Sequence, residues 1–167
     1  MISKSQLDIF DDFAQIERLV AKIYFRFSHL FLDRPELRDF WWEMAKEEEQ
    51  HGAILSACKL MIENYEEDAL DPSITAVKAE ELKSKLLSYL SRGTPSLSAN
   101  EAFEIAIEIE SSEIDAIYGK LLQLGGPKVA KTMQNLCVPA SVQRQKLKFA
   151  LRQFCTDPGL LKRAEDL

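Results

Sequence analysis

A stripe of apolar side chains between positions 41 and 62 is the feature that most constrains how this chain can fold. Its members recur every three or four residues, the spacing of one face of an α-helix, and they are Trp41, Met44, Leu55, Cys58 and Ile62. Glu48 and His51 fall on the same face and interrupt the stripe. We therefore expect a packed helix whose carboxylate and imidazole point inward, one turn apart. Glu47 and Glu49 fall on other faces and are expected in solvent.

The composition is that of a single soluble domain. The chain has 167 residues, 46% of them hydrophobic, which suits one domain covering 1–167. A net charge of −6 argues against nucleic acid or an anionic membrane as a partner. No long apolar run and no signal-peptide core are present, so we expect no membrane span and a cytoplasmic location. The three cysteines are odd in number and widely spaced, which indicates reduced core thiols, and no Cys-x-x-Cys pair suggests a rubredoxin-like iron centre.

Two long helices are predicted for the first part of the chain. The first covers about 5–31, and its apolar face consists of Phe10, Phe13, Val20, Tyr24, Phe27 and Phe31. Glu17 lies within this face, where a charged group is rare unless it is paired or binds a metal. A stop follows, at which Asp33 is predicted to cap the second helix with Glu36 in a capping box. The second helix is predicted to continue to about position 65.

The connection from 66 to 97 is too long for a simple hairpin. Asp71 and the following proline indicate a turn and a cap, after which an extra short amphipathic helix is predicted to end within 91–95. Its apolar residues are Ile74, Val77, Leu82, Leu86 and Leu90. The third long helix therefore need not lie antiparallel beside the second.

A third long helix is predicted to begin at a capping box formed by Ser98 and Glu101 and to reach about position 124. Glu110 lies within its apolar face. Glu113 borders the same face one turn later. We therefore expect a second pair of carboxylates directed toward the core.

A fourth long helix is predicted after the glycine pair that precedes Pro127. Its apolar residues are Met133, Leu136, Ala140, Leu147, Leu151 and Phe154. Pro139 lies in its middle and removes a backbone hydrogen bond, so we expect a kink or a break there.

The second half of the chain repeats the first at an offset of 93 residues. This offset pairs Glu17 with Glu110, and it pairs His51 with Arg144. The Glu-x-x-His of the second helix is therefore matched by Ser141 and Arg144 in the fourth. The spacing indicates two helical hairpins that are copies of one another.

Four long helices, one long crossover and inward-pointing Glu residues resemble the ferritin-like superfamily, and specifically its rubrerythrin-like branch. That architecture builds a dinuclear site from one Glu on each of two helices and a Glu-x-x-His on each of the other two. The segment 106–113, followed by Tyr118, looks like the third helix of rubrerythrins, which carries two carboxylates three residues apart. The resemblance implies an all-α, ferritin-like four-helix bundle that binds iron, or else manganese or zinc. It implies reaction with dioxygen or peroxide, with an unknown electron donor, and the metal ligands that it implies are Glu17, Glu48, His51, Glu110 and Glu113.

The chain departs from that pattern in the fourth helix, which has no second Glu-x-x-His. Gln143 or Arg144 replaces the missing histidine, depending on the register after Pro139. We therefore expect one ion rather than two, with the Arg144 guanidinium projecting among the carboxylates in place of the second. The alternative is a metal-free helical dimerisation or accessory module. A homodimer is expected in either case, because adjacent Trp41 and Trp42 cannot both face one core.

Overall fold

The computed structural model describes residues 4–62, 71–92 and 96–167, and all regular secondary structure in them is helical. The helices are α1 (Lys4–Leu30), α2 (Pro35–Met61), α3 (Ala76–Ser91), α4 (Ala99–Glu110), α5 (Ile114–Leu124), α6 (Gly126–Gln134), α7 (Ala140–Phe154) and α8 (Pro158–Glu165). The all-α prediction is confirmed. None of these helices is both long enough and apolar enough to cross a bilayer. All three cysteines are free thiols; Cys58 and Cys155 are buried, whereas Cys137, also expected in the core, is only partly buried.

α1 and α2 form an antiparallel pair of 27-residue helices. Near the turn, the Trp41 ring lies 5.6 Å from Tyr24 and 5.0 Å from Phe27. At the other end of the pair, the Lys59 ammonium binds Asp11. Pairing along almost the whole length of both helices brings their inward faces into register, and these faces carry the predicted carboxylates and the histidine.

The two ends of α2 differ from the sequence prediction. Its N-cap is Arg34, which makes no side-chain capping hydrogen bond, so the predicted Asp33 capping box is wrong. The physical reason is Pro35, which occupies the first helical turn and keeps the preceding residue out of the helical region. α2 ends at Met61, and Ile62 is extended, so the helix stops short of the predicted position 65. Residues 63–70 lie outside the described part of the chain.

The crossover contains the predicted extra helix, α3, which packs against α1. The predicted turn is present, because the backbone N–H and the hydroxyl of Ser73 donate to Asp71 at 2.9 and 2.6 Å. The cap is Thr75, whose hydroxyl accepts from the Lys78 N–H. Val77, expected on the apolar face, is 70% exposed. The predicted end of this helix falls partly at 93–95, outside the described residues.

The predicted third long helix is two helices. It begins at the expected capping box of Ser98 and Glu101, but α4 ends at Glu110 and α5 begins at Ile114. Serines compete with the helical backbone for hydrogen bonds, and the Ser112 hydroxyl accepts from the Ile114 N–H at 3.4 Å. This break changes which residues face the core after position 110.

The predicted fourth long helix is also divided, into α6 and α7, and Pro139 is the N-cap of α7. The break expected at this proline is confirmed. Sequence reasoning missed α8, although Asp157 followed by Pro158 is a start signal. The Asp157 carboxylate accepts the N–H groups of Gly159 and Leu160 and thereby caps this helix.

A cluster of aromatic rings joins the first helix pair to α4. The Trp41 ring lies 5.1 Å from Phe103 of α4 and 4.7 Å from Phe40. Trp41 and Phe103 are fully buried. This contact positions the end of α4, and with it Glu110, against Tyr24 of α1.

Candidate metal centre

Glu17 of α1 and Glu48 and His51 of α2 converge inside the bundle. Each offers a ligand atom that lies within 4.8 Å of the other two. His51 Nδ1 is 3.2 Å from Glu48 Oε2 and 4.0 Å from Glu17 Oε2. All three side chains are buried, with exposed fractions between 1% and 3%. The structure thus brings together three of the five residues predicted as ligands.

The Glu17 carboxylate is the least satisfied group of the cluster. Both of its oxygens are buried and have no hydrogen-bond partner among the residues that the structure describes. Burial first, and then the neighbouring Glu48 carboxylate, raises the pKa of Glu17 well above its ordinary value of 4.5. A buried carboxylate without donors is stable only with a proton or a cation beside it. The site therefore offers a position for one or the other.

His51 has acceptors at both ring nitrogens. Nδ1 faces Glu48, and Nε2 lies 3.3 Å from the Val138 carbonyl oxygen. Burial lowers the pKa of His51, but the hydrogen bond to Glu48, its charge and the Val138 carbonyl together raise it. The imidazole is therefore stabilised with a proton on each nitrogen. If a cation replaced the Nδ1 proton, the Nε2–H donation to Val138 would keep the ring in the tautomer that ligates through Nδ1.

Glu110 of α4 is buried, as predicted, but it lies outside the three-residue ligand group. Its Oε1 accepts a hydrogen bond of 2.8 Å from the Tyr24 hydroxyl. Burial first, and then the charges of Glu48 and Asp115, raises the pKa of Glu110 well above 4.5. Glu110 therefore faces the same acidic interior with one oxygen already bound by the protein.

The predicted role of Glu113 at the core is wrong. Its side chain is 64% exposed and forms an ion pair of 3.0 Å with Lys78 of α3. The prediction assumed one continuous helix, in which residues three apart share a face. Because the helix breaks at 111–113, Glu113 becomes the N-cap of α5 and turns away from Glu110.

The structure decides the register in α7. Gln143 is fully buried, and its Nε2 donates to Glu48 Oε1 at 2.8 Å. Arg144 is half-buried and donates to Asp115 Oδ2 at 3.0 Å. The expectation that the guanidinium of Arg144 projects among Glu48, Glu110 and Glu113 is therefore wrong. The equivalence of His51 with Arg144 in the repeat does not extend to their places in the fold.

Sequence reasoning missed Asp115, which is mostly buried beside the cluster. Burial, and then the charge of Glu48, raises the pKa of Asp115, while Arg144 and His51 act in the opposite direction. No helical period running from Glu110 leads to Asp115, because the intervening break changes the phase. The available sequence signal was the position of Asp115 in the first turn of α5, where acidic residues are favourable.

The prediction for Glu47 is also wrong, since this residue was expected in solvent. Its side chain is buried and forms an ion pair with Lys146 of α7. The pair lies next to Glu48, which α7 also contacts through Gln143. It therefore attaches α7 to α2 beside the cluster.

No protein-family model, curated protein or solved structure matches this chain. The metal ions that the centre could bind follow from its ligand atoms. Two carboxylates and one imidazole are ligands suited to iron, manganese or zinc. Within the described residues, buried oxygens without a partner belong to Glu17, Glu47, Gln143 and Tyr118, and the Tyr118 ring lies 4.7 Å from His51. The Glu17 carboxylate, next to Glu48 and His51, fits a bound cation.

Proposed function

We propose that this protein is a ferritin-like bundle of the rubrerythrin type that binds one divalent metal ion through Glu17, Glu48 and His51. Iron is the first choice, and manganese or zinc are the alternatives. The observation that carries the proposal is the Glu17 carboxylate, both of whose oxygens are buried without a donor beside Glu48 and His51. The antiparallel α1–α2 pair, the crossover helix and the later helices also support the ferritin-like assignment.

The proposed reaction class is oxidation or reduction involving dioxygen or peroxide, with an electron donor still to be found. Bound iron would supply one-electron exchange with these small oxidants. The chain itself supplies charge and orientation: Glu17 and Glu48 neutralise a cation, and His51 offers a nitrogen oriented by Val138. The ring of Tyr118 covers His51 and helps to exclude water.

A metal-free accessory or dimerisation module is the second candidate. It is favoured by the donors that already bind two of the carboxylates, namely Gln143 on Glu48 and Tyr24 on Glu110. A buried proton on Glu17 would then complete the set. Under this alternative the bundle is kept for its packing alone.

The metal content of the protein separates these candidates. Wild type, Glu17→Gln and Glu113→Gln are purified without chelator, analysed for iron, manganese and zinc, and titrated anaerobically with Fe(II). We expect about one ion in wild type and in Glu113→Gln, and affinity at least about tenfold weaker in Glu17→Gln, because a charged ligand is lost. Glu113→Gln is the matched control, since it removes the same charge from an exposed site. Far less than one ion in wild type, with melting unchanged by chelation, establishes the metal-free module instead.

The redox proposal has its own test. Consumption of hydrogen peroxide and of dioxygen is followed for the iron-loaded wild type, for Glu17→Gln and for an equal concentration of free iron. Turnover above free iron in wild type alone supports the reaction class. If wild type retains iron but reacts no faster than free iron, the oxidoreductase proposal is wrong and the metal site stands.

A homodimer belongs to both candidates. Trp42 is 46% exposed and packs edge-on against Phe25 at 5.0 Å, so its indole is available to a second copy. Light scattering of wild type and Trp42→Glu tests this contact. A dimer in wild type that dissociates in the variant supports it, and a monomeric wild type excludes it.

A further inference from the structure

We propose that this site takes one ion rather than two because Gln143 of α7 occupies the Glu48 oxygen that a second ion would need, and that Gln143 therefore determines this number. The inference rests on the proposed metal site of Glu17, Glu48 and His51. It adds to that site the residue that sets its capacity.

The two oxygens of Glu48 have different surroundings. Oε2 lies 3.2 Å from His51 Nδ1, within the ligand group that includes Glu17. Oε1 accepts the Gln143 amide N–H at 2.8 Å. A carboxylate that bridges two ions through both of its oxygens gives one oxygen to each. Oε1 is instead occupied by a hydrogen-bond donor, which leaves Glu48 as a ligand for the ion on the His51 side only.

The other buried carboxylates that a second ion would use are occupied in the same way. Tyr24 donates to Glu110 at 2.8 Å, and Arg144 donates to Asp115 at 3.0 Å. Of the buried carboxylates in the described part of the chain, Glu17 has no donor on either oxygen. Protein donors therefore satisfy one half of the acidic interior and leave the other half open.

Gln143 is the residue of this set whose identity decides the outcome. It is fully buried, so its amide group does not contact solvent. Its own Oε1 has no partner among the described residues. Its amide N–H can donate a hydrogen bond to Glu48 but cannot bind a cation. A carboxylate or imidazole at this position would place a second metal ligand beside Glu48 Oε1. Arg144 differs, because its side chain is 32% exposed and binds Asp115 rather than Glu48.

The test counts ions in proteins that differ only in α7. Wild type, Gln143→Glu, Gln143→His and Gln145→Glu are each equilibrated with Mn(II), desalted and analysed for manganese per chain, and their electron paramagnetic resonance spectra are recorded. Gln145 is exposed on the same helix, so its variant adds the same charge without reaching the cluster. Gln143→His adds no buried charge, and both variants at 143 are also refolded with Mn(II) present, so that apo-state instability does not obscure the count.

We expect one ion in wild type and in Gln145→Glu, and two in the variants at 143. Their spectra should show coupling between neighbouring ions, which a merely structural role for Gln143 would not produce. Two ions in wild type, or one ion in the folded variants at 143, overturns this inference and leaves the proposed metal site standing. No ion in wild type overturns both this inference and the proposed metal site.

Discussion

The residue pair Glu48 and His51 and the residue pair Glu110 and Glu113 have the same spacing and different outcomes. The first pair lies in α2, which is continuous over 27 residues, and both side chains point into the bundle. The second pair spans the end of α4, and only Glu110 is buried, while Glu113 binds Lys78 at the surface. A spacing of three residues places side chains on one face only where the helix between them is uninterrupted.

The two regions also differ in how their buried charge is satisfied. In the first helix pair, the Glu17 oxygens have no donor. On the two sides of the helix break at 111–113, Glu110 has Tyr24 and Asp115 has Arg144. Donors supplied by the protein make a region independent of metal, whereas a carboxylate without them requires a proton or a cation.

The largest expected effect tests the packing that holds these regions together. Trp41→Ala should lower the free energy of unfolding by about 3–5 kcal/mol, because it empties a fully buried site between α1, α2 and α4. Trp42→Ala is the control, since this neighbouring ring is 46% exposed, and it should cost about 1 kcal/mol. Chemical denaturation measures both. Equal losses of unfolding free energy would show that burial in the aromatic cluster does not make Trp41 more stabilising than the exposed Trp42.

Two substitutions should change the stability of the metal-free protein in opposite directions. Glu17→Gln should raise it at neutral pH by about 1–3 kcal/mol, because the variant no longer has to bury an acid without donors. Tyr24→Phe should lower it by a similar amount, because it leaves the Glu110 carboxylate unpaired. Denaturation in the presence of chelator gives both values. A loss of stability in Glu17→Gln would mean that the carboxylate has a partner within the protein.

The pH dependence of stability should reverse when metal is added. The pKa values of Glu17, Glu110 and His51 are raised in the folded state, so between their ordinary and their raised values the folded protein binds more protons than the unfolded chain. Their contribution to stability is full below the ordinary carboxyl value of 4.5 and is lost as pH rises through the raised values. The slope is about 1.4 kcal/mol per pH unit for each excess proton.

A bound cation must displace protons from its ligands, so the stabilisation that it brings should grow with pH. Melting temperatures from pH 5 to 8, with chelator and with Mn(II), measure both trends. A metal-induced shift in melting temperature that does not change with pH would exclude these groups as the ligands.

The smallest expected effect is at Glu113. Glu113→Gln breaks an exposed ion pair with Lys78 and should change stability by no more than about 1 kcal/mol, with less effect at high salt. Thermal melts at low and high salt are sufficient to measure it. A larger loss of stability, or one that salt does not reduce, would indicate that the Glu113 carboxylate is buried, as the sequence predicted.

Local signals in the sequence predicted much of the site. The helical periods in α1 and α2 are unbroken, so the inward positions of Glu17, Glu48 and His51 followed from counting residues. Ser98 was a correct helix start, because its capping box lies within four consecutive residues. The break at Pro139 was also local, since a proline cannot donate the hydrogen bond that a helix interior needs.

The errors came where a distant contact or a weaker local signal mattered. The serines at 111 and 112 gave no decisive warning of a break, because serine is tolerated within helices. Once the phase was lost, neither the exposure of Glu113 nor the burial of Asp115 could be read from periodicity. Glu47 is buried because α7 brings Lys146 against it, which no pattern within α2 reveals.

The sequence by itself determined that the chain is helical and that three ligand-type side chains lie on the inward faces of its first two helices. This is so because a helical face depends only on neighbours within one or two turns. The tertiary structure alone decided that Gln143, and not Arg144, reaches Glu48, and that Arg144 binds Asp115 instead. Those partners are separated by many residues and a helix break, so their meeting depends on how helices pack rather than on how each one forms.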